Sequence, residues 1–84
     1  MAAEVHMADL LLARRAYRDE GAFRELLEKH ERLVYNVAYR SAGNAHDAAD
    51  ITQETFLKAW RSLPAFRGEC ALSTWLCKIA LSVS

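Results

Sequence analysis

The sequence predicts an all-α fold, a compact bundle of three to four helices, and three observations carry that reading. Apolar residues make up 52% of the 84-residue chain and charged residues 26%, a composition that folds. Only three Gly and one Pro interrupt it, and Ala, Leu, Glu and Arg outnumber β-branched residues. The apolar residues recur at spacings of three and four, with no alternating run.

The first helix is expected over about 8–20. Leu10, Leu11, Ala13 and Tyr17 are available for packing, Arg14, Arg15 and Arg18 lie outside, and Gly21 serves as the stop. That arginine cluster fits either a phosphate contact or an ordinary solvated face. In the second helix, Phe23, Leu26, Leu27, His30, Leu33, Val34, Val37 and Ala38 mark about five turns, and Gly43 supplies the left-handed residue that closes it. His30 falls on the apolar stripe as a hydrogen-bonded residue of the core edge, and Tyr35 and Tyr39 cover the rim.

Asn44 reads as the cap of the third helix, with Asp47 favouring its positive end. On that helix Ala48, Ile51, Thr55, Phe56 and Ala59 form an inward stripe, while Asp50, Gln53, Glu54, Leu57 and Arg61 lie on largely outward faces. Both a solvated surface and a surface that reads another helix satisfy this pattern. The helix ends before Pro64. Phe66, Arg67, Gly68, Glu69 and Cys70 then form a chemically loaded bend, in which Phe66 is a candidate packing plug. Ser73 is expected to cap a last helix with Trp75, Leu76, Ile79, Ala80 and Val83 on its apolar stripe.

Formal charge is zero, but it is unevenly placed. Residues 1–54 carry seven Lys or Arg against ten Asp or Glu, whereas residues 55–84 carry Lys58, Arg61, Arg67 and Lys78 against Glu69 alone. Such polarity suits a domain with a protein on one side and a polyanion on the other. The sequence contains no apolar run of membrane-spanning length and no signal-peptide pattern, which points to the cytoplasm. Cys70 and Cys77, seven apart, lack zinc-knuckle spacing, and His6, His30 and His46 fall in three segments, so no metal site and no cofactor is expected. The same two cysteines serve as small apolar residues or as a thiol pair responsive to oxidants. Phosphate-cradling and nucleophile motifs are missing, and no catalytic activity is expected.

At specific residues the chain resembles a known family. The run DAADITQETFLKAWR from Asp47 to Arg61, then FRGE from Phe66, STWL from Ser73 and KIA from Lys78, is similar to the second conserved region of bacterial extracytoplasmic-function (ECF) sigma factors of the sigma-70 family. The similarity extends over FRELL from Phe23 and LVYNVAYR from Leu33, and spans about 21–80.

The resemblance implies a promoter-recognition and promoter-melting domain. In the family, the third helix docks on the coiled-coil clamp helices of the RNA polymerase beta-prime subunit. Asp50, Gln53 and Glu54 carry over as the polar contacts, with Ile51, Leu57, Lys58 and Arg61 sharing the surface. The bend helps open the minus-ten promoter element and holds an extruded base of the non-template strand. Arg67, Gly68, Glu69, Cys70 and Ala71 form that wall by resemblance, with Thr74, Trp75 and Lys78 beside it. Trp75 also fits the apolar stripe of its helix. Ser82 stands where the family commonly has an asparagine on the DNA side, and Cys70 and Cys77 replace a small polar residue and an aromatic one.

By the same comparison residues 1–84 form one region 2 domain, with a core over 21–84. The resemblance further leads to the expectation of a last helix cut short and of no C-terminal domain for the minus-thirty-five element within residues 1–84. An anti-sigma factor is a further expected partner. The rival readings are a helical protein-interaction module that uses Leu57 and Trp60 without touching DNA, and a thiol sensor built on Cys70 and Cys77.

Overall fold

One residue joins the first two helices. Asp19 is extended, closes α1 (Met7–Arg18) by donating its N–H to the Arg15 carbonyl at 2.8 Å, and caps α2 (Glu20–Ala42) by accepting the Gly21 N–H on its carboxylate at 2.9 Å. Gly21 is therefore inside the first turn of α2 and does not end α1, a correction to the sequence reading. An aspartate that satisfies both helix ends leaves the glycine nothing to terminate.

The structure is a computed structural model and describes residues 6–84. Two further helices, α3 (Ala45–Ser62) and α4 (Leu72–Val83), follow α2, with a 3₁₀ turn at Leu63–Ala65 between them and no strand among the described residues. The all-α bundle is as the sequence predicts. Helix α2 is its hub and packs on α1, α3 and α4, while α3 also packs on α4.

The α2–α3 junction follows its local chemistry. Gly43 adopts φ 81°, and its N–H closes α2 on the Tyr39 carbonyl at 2.8 Å. Asn44 then caps α3 by accepting the Asp47 N–H at 2.9 Å, and its own amide donates to the Asp47 carboxylate at 3.0 Å.

Leu26, Val34, Phe56, Ala59, Leu63, Phe66, Leu72, Leu76 and Ala80 are buried together, and Leu10, Leu12, Ala13 and Ala16 of α1 enter the same cluster. The inward face of α1 is thus displaced from the one expected. Leu12 and Ala16 are buried, whereas Leu11 is 52% and Tyr17 44% exposed. Three consecutive leucines leave the helical phase undetermined, and packing on α2 sets it. Leu33, expected on the stripe of α2, is likewise exposed.

Buried polar groups in this core are satisfied locally. The His30 imidazole donates from Nδ1 to the Leu26 carbonyl at 2.9 Å. Thr52 and Thr55 bond the carbonyls one turn back, at Ala48 and Ile51, each at 2.7 Å. Among the described residues no buried side-chain nitrogen or oxygen lacks a partner.

The start of α4 departs most from the sequence reading. Its cap position is Ala71, which offers no side-chain acceptor, and Ser73 lies inside the first turn. The Leu72 N–H is instead taken by the carboxylate of Asp9, 63 positions away, at 2.9 Å. The His6 N–H bonds the Gly68 carbonyl at 2.8 Å beside it. Helix α1 is therefore tied at its first turn to the bend that precedes α4.

Candidate macromolecular docking site

Helix α3 projects Asp50, Gln53, Glu54, Leu57, Lys58 and Arg61 into solvent, and Ile51 is half-buried. Its inward residues Ala48, Thr55, Phe56 and Ala59 are buried as the pattern requires, joined by Thr52, which the stripe did not include. The outward polar groups approach one another lightly along the helix, with Lys58 and Glu54 at 3.9 Å and the His46 ring and Asp50 at 3.6 Å. Long exposed side chains held this loosely remain available to a partner at small cost.

Beside these polar residues lies an apolar groove of about 560 Å³ between α2 and α3. Phe23 and Leu27 of α2 and Phe56, Leu57 and Trp60 of α3 line it, and Gln53 stands at its edge. Leu57 is 56% and Trp60 43% exposed. The Trp60 indole packs on the Tyr17 ring of α1 at a centroid distance of 5.6 Å, which fixes the end of the groove. Leu57 and Trp60 were legible in the sequence. The α2 wall was not, because Phe23 and Leu27 read simply as stripe residues.

At the bend, Phe66 is buried and meets the Trp75 ring at 5.2 Å with the planes tilted by 57°. Phe66 is therefore the packing plug, and Trp75, half-buried, is at least in part its support. Arg67 and Glu69 point into solvent, and Cys70 and Ala71 are half-buried. Gly68 is buried at φ 78°, a left-handed conformation that favours glycine, with its carbonyl engaged by the His6 N–H. Thr74, Lys78 and Ser82, one turn apart, make an exposed line along α4.

Both cysteines are free and half-buried, and burial pushes the Cys77 thiol above its ordinary value by disfavouring the thiolate. That works against a redox role at Cys77. His46, Asp47 and Asp50 place potential ligand atoms within 4.8 Å of one another on the exposed first two turns of α3. The sequence reading held the histidines to be scattered and did not see this grouping. The Asp47 carboxylate there already accepts the Asn44 amide.

The helical bundle thus leaves a polar face on α3 and an apolar groove between α2 and α3 open to solvent, with Arg67 and Glu69 exposed at the bend. The chain belongs to the sigma-70 region 2 family, whose model matches residues 26–83. Its relatives include the ECF RNA polymerase sigma factor SigW of Bacillus subtilis, 35% identical over 66 residues that cover 79% of this chain and 35% of SigW. The ECF sigma factor SigE of Mycolicibacterium smegmatis is 49% identical over 43 residues, or 51% of this chain and 17% of that protein. The ECF sigma-E factor of Salmonella typhimurium strain LT2 is 34% identical over 79 residues, or 93% of this chain and 41% of that protein. The chain thus spans less than half the length of each of these relatives. No helix among the described residues is long and apolar enough to cross a membrane.

Proposed function

We propose that this domain acts in transcription initiation, by docking on RNA polymerase and helping to open the minus-ten promoter element. Asp50, Gln53 and Glu54 supply the polar contacts to the beta-prime clamp helices, and the Leu57 side of the apolar groove supplies the anchor that a helical partner buries. The bend Arg67–Ala71 receives an extruded base of the non-template strand. The exposed line Thr74, Lys78 and Ser82 then follows that strand along α4. Such work takes place in the cytoplasm, and an anti-sigma factor competes for the same helical surface.

The observation that carries this reading is the simultaneous exposure of Asp50, Gln53, Glu54 and Leu57 on one side of α3, next to a groove of apolar side chains. A pull-down with the isolated beta-prime clamp helices tests it. Asp50→Ala and Gln53→Ala each weaken retention, and unchanged capture of both variants refutes the docking assignment. The open groove equally supports an adaptor that binds helical proteins without DNA. Binding of a single-stranded minus-ten oligonucleotide in the presence of polymerase separates the two, since an adaptor leaves that strand free.

A further inference from the structure

Four arginines line one depression, and the docking reading uses only one of them, Arg67. The C-terminal half of α1 and the Leu63–Arg67 segment enclose about 940 Å³, lined by Arg14, Arg15, Arg18 and Arg67 with Tyr17 and Asp19. The volume lies toward the upper end of the roughly 300–1,000 Å³ typical of ligand clefts. All four arginines are exposed. Arg15 makes a long pair with Glu25 at 3.7 Å, whereas Arg14, Arg18 and Arg67 have no ion pair among the described residues. The one carboxylate in the lining, Asp19, is occupied by the Gly21 N–H.

The arginines also belong to a fixed frame. Arg14 and Arg18 are one turn apart on the same side of α1, a rise of about 6 Å, close to the step between successive phosphates of an extended strand. The bonds from His6 to Gly68 and from Leu72 to Asp9 hold α1 against the bend, so this spacing is set relative to Arg67. Guanidinium forks bind phosphodiester oxygens in bidentate fashion.

We infer that the depression between α1 and the Leu63–Arg67 turn is a phosphate-binding channel for single-stranded DNA that continues the strand past the bend. The inference rests on the proposed reading of Arg67–Ala71 as the base-holding segment, and it extends the DNA surface onto a helix outside the matched residues 26–83. An acidic protein segment is the competing occupant. Continuity with the strand-holding bend favours the nucleic acid.

The test uses the whole chain and labelled single strands of ~12 nucleotides, within the 4–16 nucleotides of common single-strand sites. One strand is oligo(dT), the other an abasic backbone of equal length, and binding is followed by anisotropy over a salt series. Arg14→Gln/Arg18→Gln lowers the affinity for both strands at least about fivefold at low salt. It also flattens the plot of log K against log salt by up to ~1.4, at ~0.7 per lost phosphate contact. Unchanged affinity and slope overturn the channel, as does equal competition by a glutamate-rich peptide of matched charge. Loss of the preference for oligo(dT) over the abasic strand in the wild-type chain, with the slope change intact, removes the base-holding reading and leaves the channel standing. A wild-type chain that binds neither strand overturns both. Circular dichroism of the double variant matches the wild type, because both side chains are exposed.

Discussion

Replacing Asp9 with alanine removes the carboxylate that caps α4 and leaves the amide of the buried Leu72 without its acceptor. Loss of an N-cap oxygen costs about 0.5–2 kcal/mol, and loss of a negative charge at a helix N-terminus roughly 0.3–1 kcal/mol more. The bond lies in a partly shielded place where water replaces it poorly, so about 2 kcal/mol is the working value. For a domain of this size each kcal/mol moves Tm by about 4–8 °C, which puts Asp9→Ala roughly 8–16 °C below the wild type. Asp9→Asn keeps an oxygen acceptor and loses the charge, and falls between the two. Thermal melts followed by circular dichroism measure the shifts, and hydrogen exchange at the Leu72 amide locates them. An Asp9→Ala melt within about 2 °C of the wild type, with Leu72 exchange unchanged, refutes the claim that α1 holds the start of α4.

Gly43→Ala forces a Cβ into a residue at φ 81°; because that Cβ meets nothing within 4 Å, the cost is conformational alone, about 1–2 kcal/mol by urea denaturation. Leu26→Ala opens a cavity at a side chain with no exposed surface and costs about 3–5 kcal/mol, read as a lower urea midpoint with an unchanged slope. For Cys77, a neutral thiol favoured by burial means that the thiolate forms only at higher pH than for a free thiol. Its alkylation by iodoacetamide, followed by mass spectrometry of the peptides, therefore rises through a pH profile displaced upward from that of N-acetylcysteine. Coincident profiles refute the shift.

Features written in neighbouring residues were legible from the sequence. Gly43, Asn44 and Asp47 fix the α2–α3 corner by bonds that span at most four positions, and the stripe of α3 separates Phe56 and Ala59 from Gln53 and Leu57 through helical periodicity alone. His30 likewise bonds a carbonyl one turn away. What escaped depends on distant partners. Nothing around Ser73 discloses that an aspartate of the first helix takes over its expected role, and nothing near Phe23 or Leu27 discloses that they wall a groove with Trp60. Between Leu10 and Leu12 the sequence is too uniformly apolar to set the rotation of α1, so Leu11 and Tyr17 were assigned inward. At the bend, Arg67 and Glu69 were legible as exposed groups, but the burial of Gly68 beneath the His6 amide was not.

The strap from the opening turn of the chain to Gly68 and Leu72 has a consequence for biosynthesis. Its two halves leave the ribosome more than sixty residues apart, so the segment that follows Pro64 settles only after its late-made part has emerged and found the early helix. The α2–α3 hairpin, whose corner is closed by neighbours, has its own local bonds available once Ser62 has been made. A nascent chain can therefore close the corner between its second and third helices while the turn ahead of the fourth still waits for its partners in the first.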